Sequence, residues 1–235
     1  MPLYTIAGFT FDICSPSERL MSLCRNYEAK EGVAPDYTIA LTAEDLDNVR
    51  RRDPRITAFS AEISATYEKI CTQLLDRDAI FLHAAVIELD GKAYAFSAPP
   101  GTGKSTHISL WKKAFGDRVR ILNGDKPILR FENDTIYAYG TPFCGKEHWN
   151  TNAKAPLGGL CFLSRGKTDG IHPISPVEAL PSLFHQVFLG GDTAAAMKTM
   201  ELCDRLLRTV PLYALTCTPT LNAARVACEA MTKKE

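Results

Sequence analysis

The residues with the most chemistry in this chain lie at 98–106, Ala98-Pro-Pro-Gly101-Thr-Gly103-Lys104-Ser105-Thr106. Two closely spaced glycines followed by Lys-Ser suit a loop that turns its backbone N–H groups onto phosphate oxygens, with Lys104 adding a mobile full charge. A helix leaving such a loop contributes the positive end of its dipole. The Ser105 hydroxyl then faces a Mg²⁺ ion carried with the phosphates. This predicts a site for ATP and Mg²⁺ that uses Pro100, Gly101, Thr102, Gly103, Lys104, Ser105 and Thr106. The pattern G-x-x-x-x-G-K-[ST] asks for glycine where this chain has Ala98, and the plainer alternative is a Gly/Pro turn capping a helix beside a surface lysine.

Asp125 follows Lys104 by 21 positions and ends a strand, which suits a second Mg²⁺-facing carboxylate if that strand lies beside the loop. In Gly-Asp-Lys-Pro it also suits an ordinary turn. His83 is placed mid-strand, sharing a face with Phe81 and Ala85 by alternation, and reads equally as a satisfied core histidine or a catalytic one. Arg165, at the end of the 160–163 strand, is a candidate charge clamp on a transferring phosphoryl group. The polar, aromatic loop 141–154 is long enough to cover a substrate, and it offers Lys146, His148 and Lys154, each of which also reads as a solvated side chain.

For that chemistry a strand must deliver the loop and a helix must leave it. Residues 81–89 and 92–97 read as strands joined by the hairpin signal Asp90-Gly91, and 107–115 has helical spacing. A strand at 118–123 and a hairpin over 128–132 and 135–139 follow, then a strand at 156–163, helices at 177–189 and 194–209, a strand at 212–216 and a last helix at 220–231. The core thus alternates hairpins with one helix, which counts against a RecA-like or dinucleotide-binding sheet of repeated βαβ units. Residues 1–78 read as a small α+β lobe, with strands over 3–14 and 37–41, a helix start at Thr42 and an apolar helical stripe over 58–75; residues 79–235 read as the ATP-binding domain.

With 46% hydrophobic and 23% charged residues, the chain can bury an ordinary globular core. Lys plus Arg equals Asp plus Glu at 27 each, so no global basic field argues for nucleic acid. The eight cysteines are scattered without a C-x-x-C pair or a histidine at metal-ligand spacing, which predicts free thiols. No leader-like segment and no run near eighteen apolar residues is present, so the expectation is a soluble cytoplasmic protein that does not enter a membrane.

Leu82-His83-Ala, the strand pair into Gly-Thr-Gly-Lys-Ser-Thr, Asn-Gly-Asp125-Lys-Pro, the following hairpin and Gly140-Thr-Pro-Phe together resemble the kinase domain of HPr kinase/phosphorylase and its distant relative phosphoenolpyruvate carboxykinase. A bacterial branch of HPr-kinase-like proteins is the narrower resemblance. It covers residues 80 to about 165 by motif and 176–231 by layout, and leaves out the first lobe. The fold class it implies is α/β (α+β), an HPr kinase/phosphoenolpyruvate carboxykinase-like P-loop domain with a mixed sheet, preceded by the small lobe. The activity it implies is ATP-dependent phosphorylation of a hydroxyl on a protein or peptide serine or a small metabolite. Gly103, Lys104 and Ser105 would then serve phosphates and metal, with His83 and Asp125 near the reacting centre. The family carries two adjacent aspartates where this chain has Gly124-Asp125, so Asp125 is assigned to the metal and the proton to His83 or a water. No carboxykinase signature accompanies the motifs. A homo-oligomer is left open, as are two other readings: an ATP-binding regulatory module without phosphotransfer, and an adenylate/shikimate-type kinase, which needs a parallel sheet.

Overall fold

The computed structural model describes residues 2–233. Ala7 and Gly8, both at positive φ, close β1 (Tyr4–Ile6) onto β2 (Phe9–Ile13), and β3 (Tyr37–Ile39) adds parallel to β2. Between them lies α1 (Glu18–Cys24), which the sequence reading missed; it begins where Ser17 Oγ accepts from the Leu20 N–H. Thr42 and Asp45 form a capping box that starts α2 (Ala43–Arg52), and Thr57 caps α3 (Ala58–Leu75). The core of this region does not stop at residue 78. Tyr67, Ile70 and Leu74 of α3 pack in one cluster with Ile128, Tyr139 and Phe143.

The single strand expected over 81–89 is two strands, β4 (Ala79–Phe81) and β5 (Ala84–Leu89). They belong to different ladders, so the chain steps between them at Leu82-His83, where the His83 N–H donates to Gln186 O at 2.7 Å. β5 turns through Asp90 (φ 50°) and Gly91 (φ 83°) into β6 (Lys92–Ser97), the left-handed pair of a two-residue hairpin. Then come α4 (Lys104–Phe115), β7 (Val119–Asn123), β8 (Ile128–Glu132), β9 (Thr135–Tyr139), β10 (Lys154–Arg165) and β11 (Gly170–Pro173). The chain ends through α5 (Pro176–Phe184), α6 (Thr193–Thr209), β12 (Leu212–Cys217) and α7 (Leu221–Thr232). The helix expected over 177–189 stops at Phe184 because the next residues pair elsewhere: Val187 bridges Leu82, and Gln186 holds His83.

The sheet runs β4-β8-β9-β10-β6-β5-β7, with β12 beside β10 and β11 beside β12. β12, β10 and β6 are parallel, whereas β5 runs antiparallel between β6 and β7. That mixed order is not the parallel sheet of the adenylate/shikimate alternative. Side chains alternate as a pleat requires. Tyr94 and Phe96 of β6 join Trp111 of α4 and Ala227 of α7 on one face, while Ala93 and Ala95 join Leu183 of α5 and Leu206 of α6 on the other.

The strand registers put the candidate site residues at one end of this sheet. Ser97 lies opposite both Ala84 and Phe162, and Asn123 lies opposite Val86. The carboxyl ends of β6, β7 and β10 and the start of β5 therefore share an edge, which is where α/β sheets bind ligands. Among the described residues no helix is long and apolar enough to cross a membrane, and all eight cysteines are free thiols.

Candidate functional site

β6 delivers the loop 98–103 at that edge. Gly101 (φ 78°) and Gly103 (φ 121°) hold left-handed backbone with open space where a Cβ would be, so conformation and not crowding calls for glycine. The Thr102 N–H donates to Pro99 O at 3.2 Å, and α4 then begins directly on the loop. Lys104 is buried at 7% exposure, and its Nζ donates to Ala98 O at 2.9 Å. Burial lowers its pKa, opposed by the charge of Asp125.

Asp125 reaches the loop although its strand is not β6's direct neighbour. β5 separates them, and the turn 123–126 closes the gap. Fully buried Asn123 shapes that turn: its Oδ1 accepts from the Asp125 and Lys126 N–H groups at 2.8 and 2.6 Å, and its Nδ2 donates to Thr141 O at 3.0 Å. His83, expected mid-strand, sits in the step between β4 and β5, with Nε2 2.9 Å from Lys104 Nζ and 3.1 Å from Asp125 Oδ1. Its Nδ1 is 2.8 Å from Gln186 Oε1, which takes the Nδ1 proton and leaves Nε2 between an ammonium and a carboxylate. As a lone pair Nε2 accepts from Lys104; as N–H it donates to Asp125.

Burial alone would raise the Asp125 pKa. The hydrogen bond from His83 and the charges of His83, Lys126 and Lys104 outweigh it and hold the carboxyl below its usual 3.8. Ionised Asp125 therefore stabilises the fold above that usual value, and the contribution is lost as pH falls through the lower folded value. Asp125→Asn lacks it, so the gap in unfolding free energy between wild type and variant is expected to hold steady above about pH 5 and to narrow as pH falls past the usual carboxylate value and through the lower folded one. Urea titrations at each pH read this. A constant gap would mean that the neighbours do not favour the charged carboxylate.

Pro100, Gly101, Gly103, Lys104, Ser105, Thr106, His83, Asp125 and Arg165 line one cavity of about 480 Å³. Thr102 lines an adjoining cavity of about 300 Å³, which shares Gly103, Thr106 and Arg165 and runs to Cys217–Pro219. Arg165 is also tied to the loop itself, donating from Nε to Thr102 O at 3.0 Å and from a terminal nitrogen to Gly101 O. It braces the loop's backbone from β10 as well as facing the cavity.

The 141–154 loop is not free to act as a cover along its length. The Thr151 N–H donates to Leu122 O, Thr151 Oγ1 to Ile121 O, and the Gly124 N–H to Trp149 O. Only the exposed tip at 145–148 overhangs, placing Lys146 in the large cavity, whereas His148 lines a neighbouring one. Lys154 lies outside, paired with Glu132 at 2.6 Å and set over the Tyr137 ring. The same loop explains Gly124: a Cβ there would sit 3.0 Å from Cys144 O and 3.4 Å from Trp149 O, so an aspartate requires that backbone to retreat.

Sequence reasoning missed Asn123 and Gln186. Asn-Gly-Asp is a turn signal that points to Asn123, but nothing local marks Gln186, which meets His83 from 103 positions away.

No protein-family model matches the chain, and no curated protein does. Among solved structures, the HPr(Ser) kinase/phosphatase from Coxiella burnetii matches with a TM-score of 0.38 and 11% sequence identity, over 64% of this chain and 95% of that one.

Proposed function

We propose that the chain is an ATP-dependent kinase that phosphorylates a hydroxyl group. The observation that carries this reading is the Lys104–His83–Asp125 contact at the mouth of a glycine-turned loop that opens a helix. The loop N–H groups and Lys104 bind the phosphates, and the adjoining cavity lined by Thr102 and Thr106 takes the nucleoside. Ser105 and the Asp125 carboxylate fit Mg²⁺, which takes few protein ligands when phosphates supply the rest. Bound there, the ion would neutralise phosphate charge as it moves from the γ to the β position.

His83 is the base in this reading. Lys104 turning to a phosphate oxygen releases the Nε2 lone pair, so the base is freed when nucleotide is in place. The acceptor oxygen bonds to the γ-phosphorus as the bond to the β–γ bridging oxygen breaks, ADP leaves, and the hydroxyl proton goes to Nε2. Asp125 stabilises the resulting imidazolium, while Gln186 holds the ring in place.

The test is transfer of label from γ-labelled ATP with Mg²⁺ into two acceptor pools, protein extract and free hydroxyl metabolites. Label in either pool supports a kinase. ATP bound without transferred label would replace this reading with the nucleotide-binding module that Gly124, in place of a second carboxylate, also suits.

A further inference from the structure

A second cavity, of about 360 Å³, opens from the phosphate cavity and shares Asp125, Gly145 and Lys146 with it. Its far walls come from the N-terminal region: Leu23 of α1 and Phe59 and Ile63 of α3 face Phe143 across it. Lys126 lines it too, and beyond it an adjoining recess of about 350 Å³ carries Arg19, whose guanidinium stacks 4.5 Å over the Phe59 ring. Other cations of the protein pair with carboxylates: Arg52 with Glu68, Lys69 with Asp45 and Lys154 with Glu132. Among the described residues, Arg19, Lys126 and Lys146 have no carboxylate at salt-bridge distance. The result is an apolar slot carrying cations that form no salt bridge, opening onto the Asp125 and Glu147 carboxylates and the His83 imidazole of the phosphate cavity.

Resting on the kinase reading above, we infer that this slot is the acceptor site and that the acceptor is a small hydroxy acid with an apolar tail. The hydroxyl lies at the shared mouth by Asp125 and His83, the carboxylate meets Lys126 and Lys146, and the tail packs on Phe59 and Ile63. Charge complementarity selects an anion, and the apolar walls select against a compact polyol. The N-terminal region thereby supplies acceptor specificity.

The experiment titrates hydroxyisocaproate, and separately its matching diol, into the full chain already saturated with a non-hydrolysable ATP analogue and Mg²⁺, followed by calorimetry. The acid is expected to bind at least about tenfold more tightly than the diol. Ile63→Glu, which puts a negative charge in the slot, is expected to weaken the acid by about tenfold or more while the analogue titrates as in wild type. Lys126→Gln, which keeps the walls, is expected to weaken the acid in the same direction. Equal binding of acid and diol, or no binding of either, would overturn the hydroxy-acid assignment and leave the kinase reading standing. Failure of the analogue itself to bind appears before any acceptor is added, and it would sink both.

Discussion

Lys104→Ala is expected to lower ATP turnover by at least about 100-fold, which corresponds to about 2.7 kcal/mol of barrier. The side chain is the cation that α4 starts on, it is buried at 7% exposure, and no neighbour replaces it. Arg165 is tied to the loop carbonyls at Gly101 and Thr102, and Lys146 sits on the exposed tip of another loop. The substitution removes the proposed phosphate contact and also leaves Ala98 O and His83 Nε2 without the Lys104 donor. A companion Lys104→Met keeps the buried stem and separates loss of charge from loss of packing. Both should bind the ATP analogue weakly by calorimetry while unfolding cooperatively on heating. Turnover equal to wild type in a folded Lys104→Met would remove the loop from the mechanism.

Gly140→Ala is expected to destabilise the protein by more than about 3 kcal/mol. Gly140 follows β9, and a Cβ there would fall 2.0 Å from Thr151 O and 2.5 Å from Leu122 O. Both are backbone atoms, so no side chain can rotate away. Relief requires separating β7 from the segment that the Thr151 N–H pins to it. The same separation would loosen Asn123, whose Nδ2 donates to Thr141 O, and with it the turn that aims Asp125. Loss of stability in denaturant titration should therefore come with weaker nucleotide binding. A melting temperature within a degree or so of wild type would show that the close approach is not maintained in solution.

The sequence reading and the fold agree where the signal is local. Asp90-Gly91, the period-3.6 stripe over 58–75, the helix start at Thr42 and the paired glycines at 101 and 103 each act through residues within a few positions of one another, and each element forms where its pattern lies. They diverge where two distant segments compete for one backbone. The strand over 81–89 breaks because β8 and β6 claim its two halves, and the helix after Pro176 ends early because Gln186 and Val187 pair with 82–83. Within the site, the loop, the lysine and the aspartate were recognisable as residue types in order. That His83 lies 2.9 Å from Lys104 was not, since it depends on that strand break.

Legible in the chain alone are the glycine-turned loop that opens a helix, the two hairpins near it and the absence of any apolar run long enough to span a membrane, because these rest on backbone preferences and composition that act locally. Three-dimensional packing alone sets β5 between β6 and β7, lets Asn123 carry Asp125 across that gap, and makes α1 and α3 wall a slot beside the cavity at the glycine-turned loop. Strand order and lobe docking are set by burial of apolar faces in three dimensions. Burial is non-directional and many pairings satisfy the same alternation, so the register that brings Ser97, Ala84, Asn123 and Phe162 to one edge exists only once the whole core has closed.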